Sequence, residues 1–193
     1  MSDDATIRPE LIDLPDALIG ERVLLRPYRP GDGATFFNAV DSHREDLAEW
    51  VGWVDQYKTP EDAEAYVRRM QSKWIARSAL ILGIWSKDGS EYYGGTGFHG
   101  FDWDVPSFEI GYFLHREARG RGLGREAVRA VVEFGFGHLG ARRIWGSCDA
   151  KNERSARLLE DCGFRREATL LNECRDHHGS LRDTLIYGIT EAS

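Results

Sequence analysis

Between residues 115 and 127 the chain reads HREARGRGLGREA. Arg119, Gly120, Arg121, Gly122, Leu123, Gly124 and Arg125 are the residue types, at the spacing, that hold an anion. Glycines lack Cβ and admit positive φ, so three of them in alternation let successive backbone N–H groups converge on one point. An apolar run feeds into this turn and helical spacing follows it, which adds the unsatisfied donors and the positive end of a helix. A pyrophosphate is the ligand such a turn suits. It is neither of two common phosphate loops. Arg125 stands where G-x-G-x-x-G needs its third glycine, and no Gly-Lys-[Ser/Thr] follows. No Mg²⁺-ligand pattern lies nearby, so backbone and arginines would hold the anion alone. Residues 116–157 carry ten Lys/Arg against five Asp/Glu, or +5; the whole chain is −7, so the remainder carries −12. A basic segment in an acidic chain fits a small polyphosphate ligand. A solvated arginine-rich helix face would give the same arithmetic.

Other reactive types are scattered. Glu109 sits between Phe108 and Ile110 in an apolar run, so it either faces a cleft or pairs with an arginine. Cys148 has no His or Lys at an activating position, which argues against a thiolate nucleophile. Cys174-x-x-His177-His178 lacks two further ligands, so no metal is expected. Residues 41–64 hold eight acids against Arg44 and Lys58, with Trp50 and Trp53 among them. That reads as an acidic, aromatic rim for a cationic amine, or equally as a solvated helix pair whose tryptophans are core.

The elements that must position these residues follow from periodicity and turn chemistry. Residues 22–28 (RVLLRPY), 79–86, 91–100, 108–115, 142–149, 164–175 and 181–190 read as strands. Helices are expected over 32–50, from Thr59 to about 77, over 122–139, and from Asn152 to Cys162, closed by Gly163. Thr59-Pro60-Glu61-Asp62 is a helix start, with Thr59 as N-cap and Pro60 in the first turn. The order is an α/β, mixed sheet with helices on both faces. No repeat or linker divides it, so residues 21–193 form one domain behind an N-terminal arm over 1–20.

With 193 residues, 41% apolar, the chain can bury one sizeable core. Its net −7 opposes non-specific nucleic-acid binding. No run approaches 18 apolar residues and the start is acidic, so neither a membrane span nor a secretory leader is expected. Three cysteines without close pairing suit reduced thiols in a cytoplasmic protein.

Together these residues resemble the GNAT N-acetyltransferases, whose signature Arg/Gln-x-x-Gly-x-Gly/Ala matches Arg119 to Gly124. The likeness continues through Glu109 to Leu114, through Asn152-Glu153-Arg154-Ser155, and on to Gly163-Phe164. Trp50, Trp53, residues 59–64, Glu167, Asn172-Glu173, Asp183 and Tyr187 are similar to the RimJ/RimL ribosomal-protein type. The resemblance implies a mostly antiparallel sheet of about six or seven strands, with acetyl-CoA bound where two central strands splay apart. Phe113, Leu114 and His115 would offer backbone N–H groups to the thioester carbonyl, and residues 119–125 would take the pyrophosphate. Asn152 would bond the pantetheine arm. Many members place a tyrosine just beyond that Asn to protonate the thiolate. Here residues 154–159 include none, and Ser155 is the available hydroxyl. Glu109 and Glu173 compete as the base. The expected activity is direct transfer of acetyl to a protein N-terminal or small-molecule amine, with Trp50 and Trp53 on the acceptor side. The alternative is a non-catalytic acyl-CoA sensor or scaffold. A homodimer is a further expectation of the type.

Overall fold

The computed structural model describes residues 7–191. Eight strands form one sheet in the order β1-β2-β3-β4-β5-β6-β8-β7. They are β1 (Leu18–Ile19), β2 (Val23–Pro27), β3 (Leu80–Ser86), β4 (Tyr92–Asp102), β5 (Ser107–Leu114), β6 (Arg143–Asp149), β7 (Arg165–Arg175) and β8 (Leu181–Thr190). Every neighbouring pair is antiparallel except β5–β6. The mixed, mostly antiparallel sheet is the expected one, with eight strands rather than six or seven. The additional strand is β1, which pairs Leu18 with Leu25 and Ile19 with Leu24. Two residues ahead of Gly20 are too short for an alternation to show. Of the expected arm, residues 1–6 lie outside the described residues. Ile12, Leu14 and Leu18 pack against the core, so this part of the arm is built into the sheet layer.

Five α-helices cover the two faces among the described residues: α1 (Gly33–Asp41), α2 (Arg44–Ala48), α3 (Pro60–Ile75), α4 (Leu123–Gly137) and α5 (Glu153–Asp161). The single helix expected over 32–50 is broken after Asp41. Ser42 Oγ donates to Asn38 O (2.5 Å) and the His43 ring bonds Ala39 O (3.0 Å), so side chains occupy carbonyls of the last turn. α3 starts as expected: Thr59 Oγ1 accepts from Asp62 N, and the Asp62 side chain accepts from Thr59 N.

α4 and α5 bury Val128, Val131 and Leu159 against Phe98, Phe108 and Ile144 on one face. α1 and α3 bury Phe36, Val40 and Val67 with Tyr28 and Tyr92 on the other. Alternation therefore divides β5. Phe108 and Ile110 belong to the α4 core, which places Glu109, Gly111 and Phe113 on the α1/α3 face. In β4, Gly94 has φ +151°, and a Cβ there would lie 2.1 Å from Phe113 O; only glycine lets β4 and β5 approach so closely.

Among the α1/α3 aromatics, the hydroxyls of Tyr28 and Tyr92 bond each other at 2.7 Å, fully inside the protein. Burial, above all, pushes both phenols well above their usual pKa, so the pair stays neutral. Tyr28→Phe should lower stability by about 1–2 kcal/mol, because it leaves the Tyr92 hydroxyl buried without its partner. Removing both hydroxyls should cost less than the sum of the two single changes. Urea unfolding of the two single variants and the double checks this, and strictly additive losses would count against it.

Candidate active site

β5 and β6 pair over only three rungs: Ser107 with Arg143, Phe108 with Ile144, and Glu109 with Trp145. Beyond Glu109 the strands part, leaving Gly111 to Leu114 unpaired on that side. Gly146 stands at the fork, where a Cβ would lie 3.2 Å from both Ile110 Cγ2 and Ile110 O. The opened edge exposes backbone donors in alternation. His115 N–H is spent on Tyr93 O at 3.1 Å, so it points into β4 rather than the gap. The period of two turns Phe113 N–H the same way and Leu114 N–H toward the gap. Leu114 O agrees, since it accepts from Arg119 Nε at 3.0 Å on the side away from β4. Of the three N–H groups expected at a thioester carbonyl, His115's is therefore taken. Leu114's is the one facing the opening.

The glycine turn lies at the open end. Gly120 and Gly122 have φ +72° and +78°, and Gly122 is the N-cap of α4 without any side-chain cap. The first-turn N–H groups of α4 thus keep their donors for an anion. Leu123 is buried beneath the turn, and Gly124 packs against Leu114 and Leu158, where a Cβ would be 3.1 Å from Leu114. The turn is braced from behind: Arg22 Nη1 donates to Arg121 O (2.7 Å) and Arg22 Nε to Glu126 (2.9 Å). Burial alone would raise the Glu126 pKa, but bonds from Arg22 and the Val23 N–H outweigh it and hold the carboxyl below its usual range. The turn's own arginines have separate tasks. Arg119 pairs with Asp46 of α2, Arg125 with Asp161 of α5, and Arg121 covers the Tyr93 ring at 5.3 Å. Asp46 is held below the usual carboxylate range mainly by the Arg119 hydrogen bond.

Ser155 lies across the gap in the first turn of α5, with its N–H capped by Asn152 Oδ1 at 3.1 Å. Its Oγ is 2.8 Å from the hydroxyl of Tyr112, on the unpaired part of β5. Burial, partly offset by the Ser155 hydrogen bond, keeps the Tyr112 phenol far above its usual pKa, so it holds its proton. Residues 154–159 hold no tyrosine, and β5 brings the Tyr112 hydroxyl to Ser155 instead. The sequence marks Tyr112 only by its parity, opposite to Glu109 and Phe113, which turns it toward α5. Cys148 is buried nearby, and burial raises its thiol, which keeps it protonated.

The two carboxylates sit apart. Glu109 marks the last paired rung of β5–β6, with Oε2 3.2 Å from His99 Nδ1 and its side chain 22% exposed. Glu173 is on the edge strand β7, beside a bulge in which Asn172 takes φ +52°, and it accepts from Thr184 Oγ1 at 2.7 Å. Thr184 pairs with Asp149 at the end of β6.

On the α1/α3 face, a cavity of about 290 Å³ reaches the unpaired part of β5. Phe36, Trp53, Tyr57, Tyr66, His99 and Phe113 line it together with Tyr112. Trp50 is elsewhere, beneath the Arg182 guanidinium at 5.8 Å. The expected acidic rim is also redistributed. Asp41 pairs with Arg44, Asp46 with Arg119, Asp62 caps α3, and Glu64 holds the Gly31 and Gly33 N–H groups. The charged side chain lining the cavity is Lys73. Cys174 bonds Arg182 O and Thr184, away from a metal-like grouping with the neighbouring histidines.

Residues 22–165 match the Acetyltransferase (GNAT) domain family. The uncharacterized N-acetyltransferase YoaA of Bacillus subtilis (strain 168) is 27% identical over 171 residues, which cover 89% of this chain and 94% of that protein. The fold is shared with RimL, a ribosomal-protein alpha-N acetyltransferase solved with coenzyme A. The TM-score is 0.83 at 17% identity, covering 90% of this chain and 97% of that one. It is also shared with the microcin C7 self-immunity acetyltransferase MccE, solved with acetyl-CoA and AMP. There the TM-score is 0.81 at 20% identity, covering 89% of this chain and 93% of that one. A strand pair parted beside a glycine turn, matched to a family over most of its length, makes this chain a member of the GNAT acetyltransferases.

Proposed function

We propose that the protein transfers acetyl from acetyl-CoA to a primary amine, on a protein N-terminus or a small molecule, within a ternary complex. The observation carrying this reading is the hydroxyl pair Tyr112–Ser155 across the β5–β6 gap, at 2.8 Å. The pyrophosphate goes to Gly120, Gly122 and the start of α4, and the pantetheine arm runs through the gap past Asn152. Leu114 N–H then faces the thioester carbonyl and stabilises the oxyanion as the amine attacks. The amine must lose a proton. Glu109, at the vertex and linked to His99 in the cavity wall, is the better placed base; Glu173 is the second candidate. As the tetrahedral intermediate collapses, the C–S bond breaks and the sulfur takes a proton from Ser155 Oγ–H; Tyr112 O–H passes its own proton to Ser155, and solvent restores it to Tyr112. Cys148, held as a thiol, takes no part. The amine's substituent enters the aromatic cavity, whose size suits one side chain. RimL's action on a ribosomal protein supports a peptide N-terminus among the acceptors. A non-catalytic acyl-CoA module would have no use for a hydroxyl relay beside the gap.

Three outcomes test this. Acetyl-CoA at saturation should raise Tm, and Gly120→Asp should abolish the rise. Asp tolerates the positive φ, and a Cβ at residue 120 meets nothing within 4 Å, so the turn survives while the charge repels pyrophosphate. No rise in the unaltered protein would remove the basis of the proposal. In thiol-release assays against peptides, polyamines and amino acids, Tyr112→Phe and Ser155→Ala should each lower kcat roughly 100-fold with KM for acetyl-CoA unchanged. The double variant should fall little further, since both act on one proton. Finally, Glu109→Gln should remove the acidic limb of the kcat/KM profile while Glu173→Gln keeps it; the reverse assigns the base to Glu173.

A further inference from the structure

Where β5 ends, His115 and Glu117 meet His43 from the break between α1 and α2. His43 Nδ1 bonds Ala39 O at 3.0 Å and His115 Nε2 bonds Tyr92 O at 2.7 Å. A backbone carbonyl only accepts, so each of these nitrogens carries an N–H. The remaining nitrogens, His43 Nε2 and His115 Nδ1, both face Glu117 Oε2, at 2.6 and 3.0 Å. The two rings stack with centroids 5.5 Å apart and are nearly enclosed, with side chains 13% and 10% exposed, while Glu117 is open to solvent. Positive charge must sit among these three atoms, either as a proton on each facing nitrogen or as one cation that the two lone pairs share with the carboxylate. One metal ion meets that need without placing two imidazolium cations face to face. The neighbouring guanidiniums do not supply it, because Arg116 and Arg119 are both turned onto Asp46. Among the described residues this is the one group of three or more His/Cys/Asp/Glu side chains whose ligand atoms lie within 4.8 Å of one another.

We propose that His43 Nε2, His115 Nδ1 and the Glu117 carboxylate bind one divalent transition-metal ion, Zn²⁺ being the type case, with water completing its coordination. Two imidazoles and a carboxylate, without thiolate, are a donor set for such ions. The outer N–H of each ring is already committed to a carbonyl, which is how a protein sets the tautomer and direction of a metal-binding histidine. The ion would join the α1–α2 corner, on the acceptor side, to the segment that enters the glycine turn. It lies outside the gap and takes no part in acetyl transfer as described above.

Titration of the tag-free, metal-stripped full chain with Zn²⁺, followed by calorimetry, tests this. One equivalent should bind with Kd below about 1 μM and raise Tm. Co²⁺ in its place should give the visible absorption of a low-coordinate site. Glu117→Gln removes an exposed side chain and leaves the fold intact by circular dichroism; it should weaken Zn²⁺ binding at least 10-fold, and His43→Gln more. No saturable uptake would overturn the proposal. So would uptake that both variants retain unchanged, which would put the ion elsewhere, such as the hairpin of Cys174, His177 and His178.

Discussion

The point at which β5 and β6 stop pairing governs the rest of the molecule. A parallel pair shares its hydrogen bonds along its length, and here the ladder ends at Glu109–Trp145. Everything distal to that rung is backbone that other partners must satisfy. The consequence is a slot with donors along one wall and the N-terminus of α5 on the other. The glycine turn lies beyond it. The same rung places Glu109 at the vertex, and strand parity then assigns every other residue of β5 to a face. Phe113 falls to the aromatic cavity, and Tyr112 to the side of Ser155.

Keeping such a slot open requires bracing, because two strands that part have lost their mutual support. Polar ties between distant segments provide it. Glu126 gathers the Arg22 and Val23 N–H groups and the Arg22 guanidinium, which itself reaches Arg121 O behind the turn. Asp46 draws Arg119 and Arg116 toward α2. Asp149 and Asp176 hold Arg182, which in turn covers Trp50. Several charges that look available for ligands in the primary structure are thus engaged in bracing the slot. The basic segment and the acidic segment partly neutralise each other, in the pairs that Asp46 makes with Arg119 and Arg116.

Legibility in the sequence tracked how local each feature is. The Thr59 capping box and the left-handed glycines of the turn depend on residues within four positions of one another; the box stands as read, and Gly120 and Gly122 take positive φ while Gly124 joins α4. The break after Asp41 is local too, but Phe36, Phe37, Val40, Leu47 and Trp50 keep helical spacing across it, so periodicity concealed the two side chains that end α1. β1 is two residues long and is a strand only because β2 lies beside it. Nothing local marks the role of Tyr112, because its partner is 43 residues away.

The sequence by itself determined the fold class, the family, the glycine turn and the presence of a hydroxyl at Ser155. Alternation, helical period, caps and glycine placement are short-range properties that the chain carries wherever it goes. Only the tertiary structure decided which donors remain free and which charges are spent. It showed that His115 N–H is consumed by β4, that Trp53 reaches the cavity while Trp50 does not, and that Tyr112 stands behind Ser155. It also brought two histidines and a glutamate to one point. A hydrogen-bonding group has one use at a time, and which use it has depends on neighbours that arrive from elsewhere in the chain.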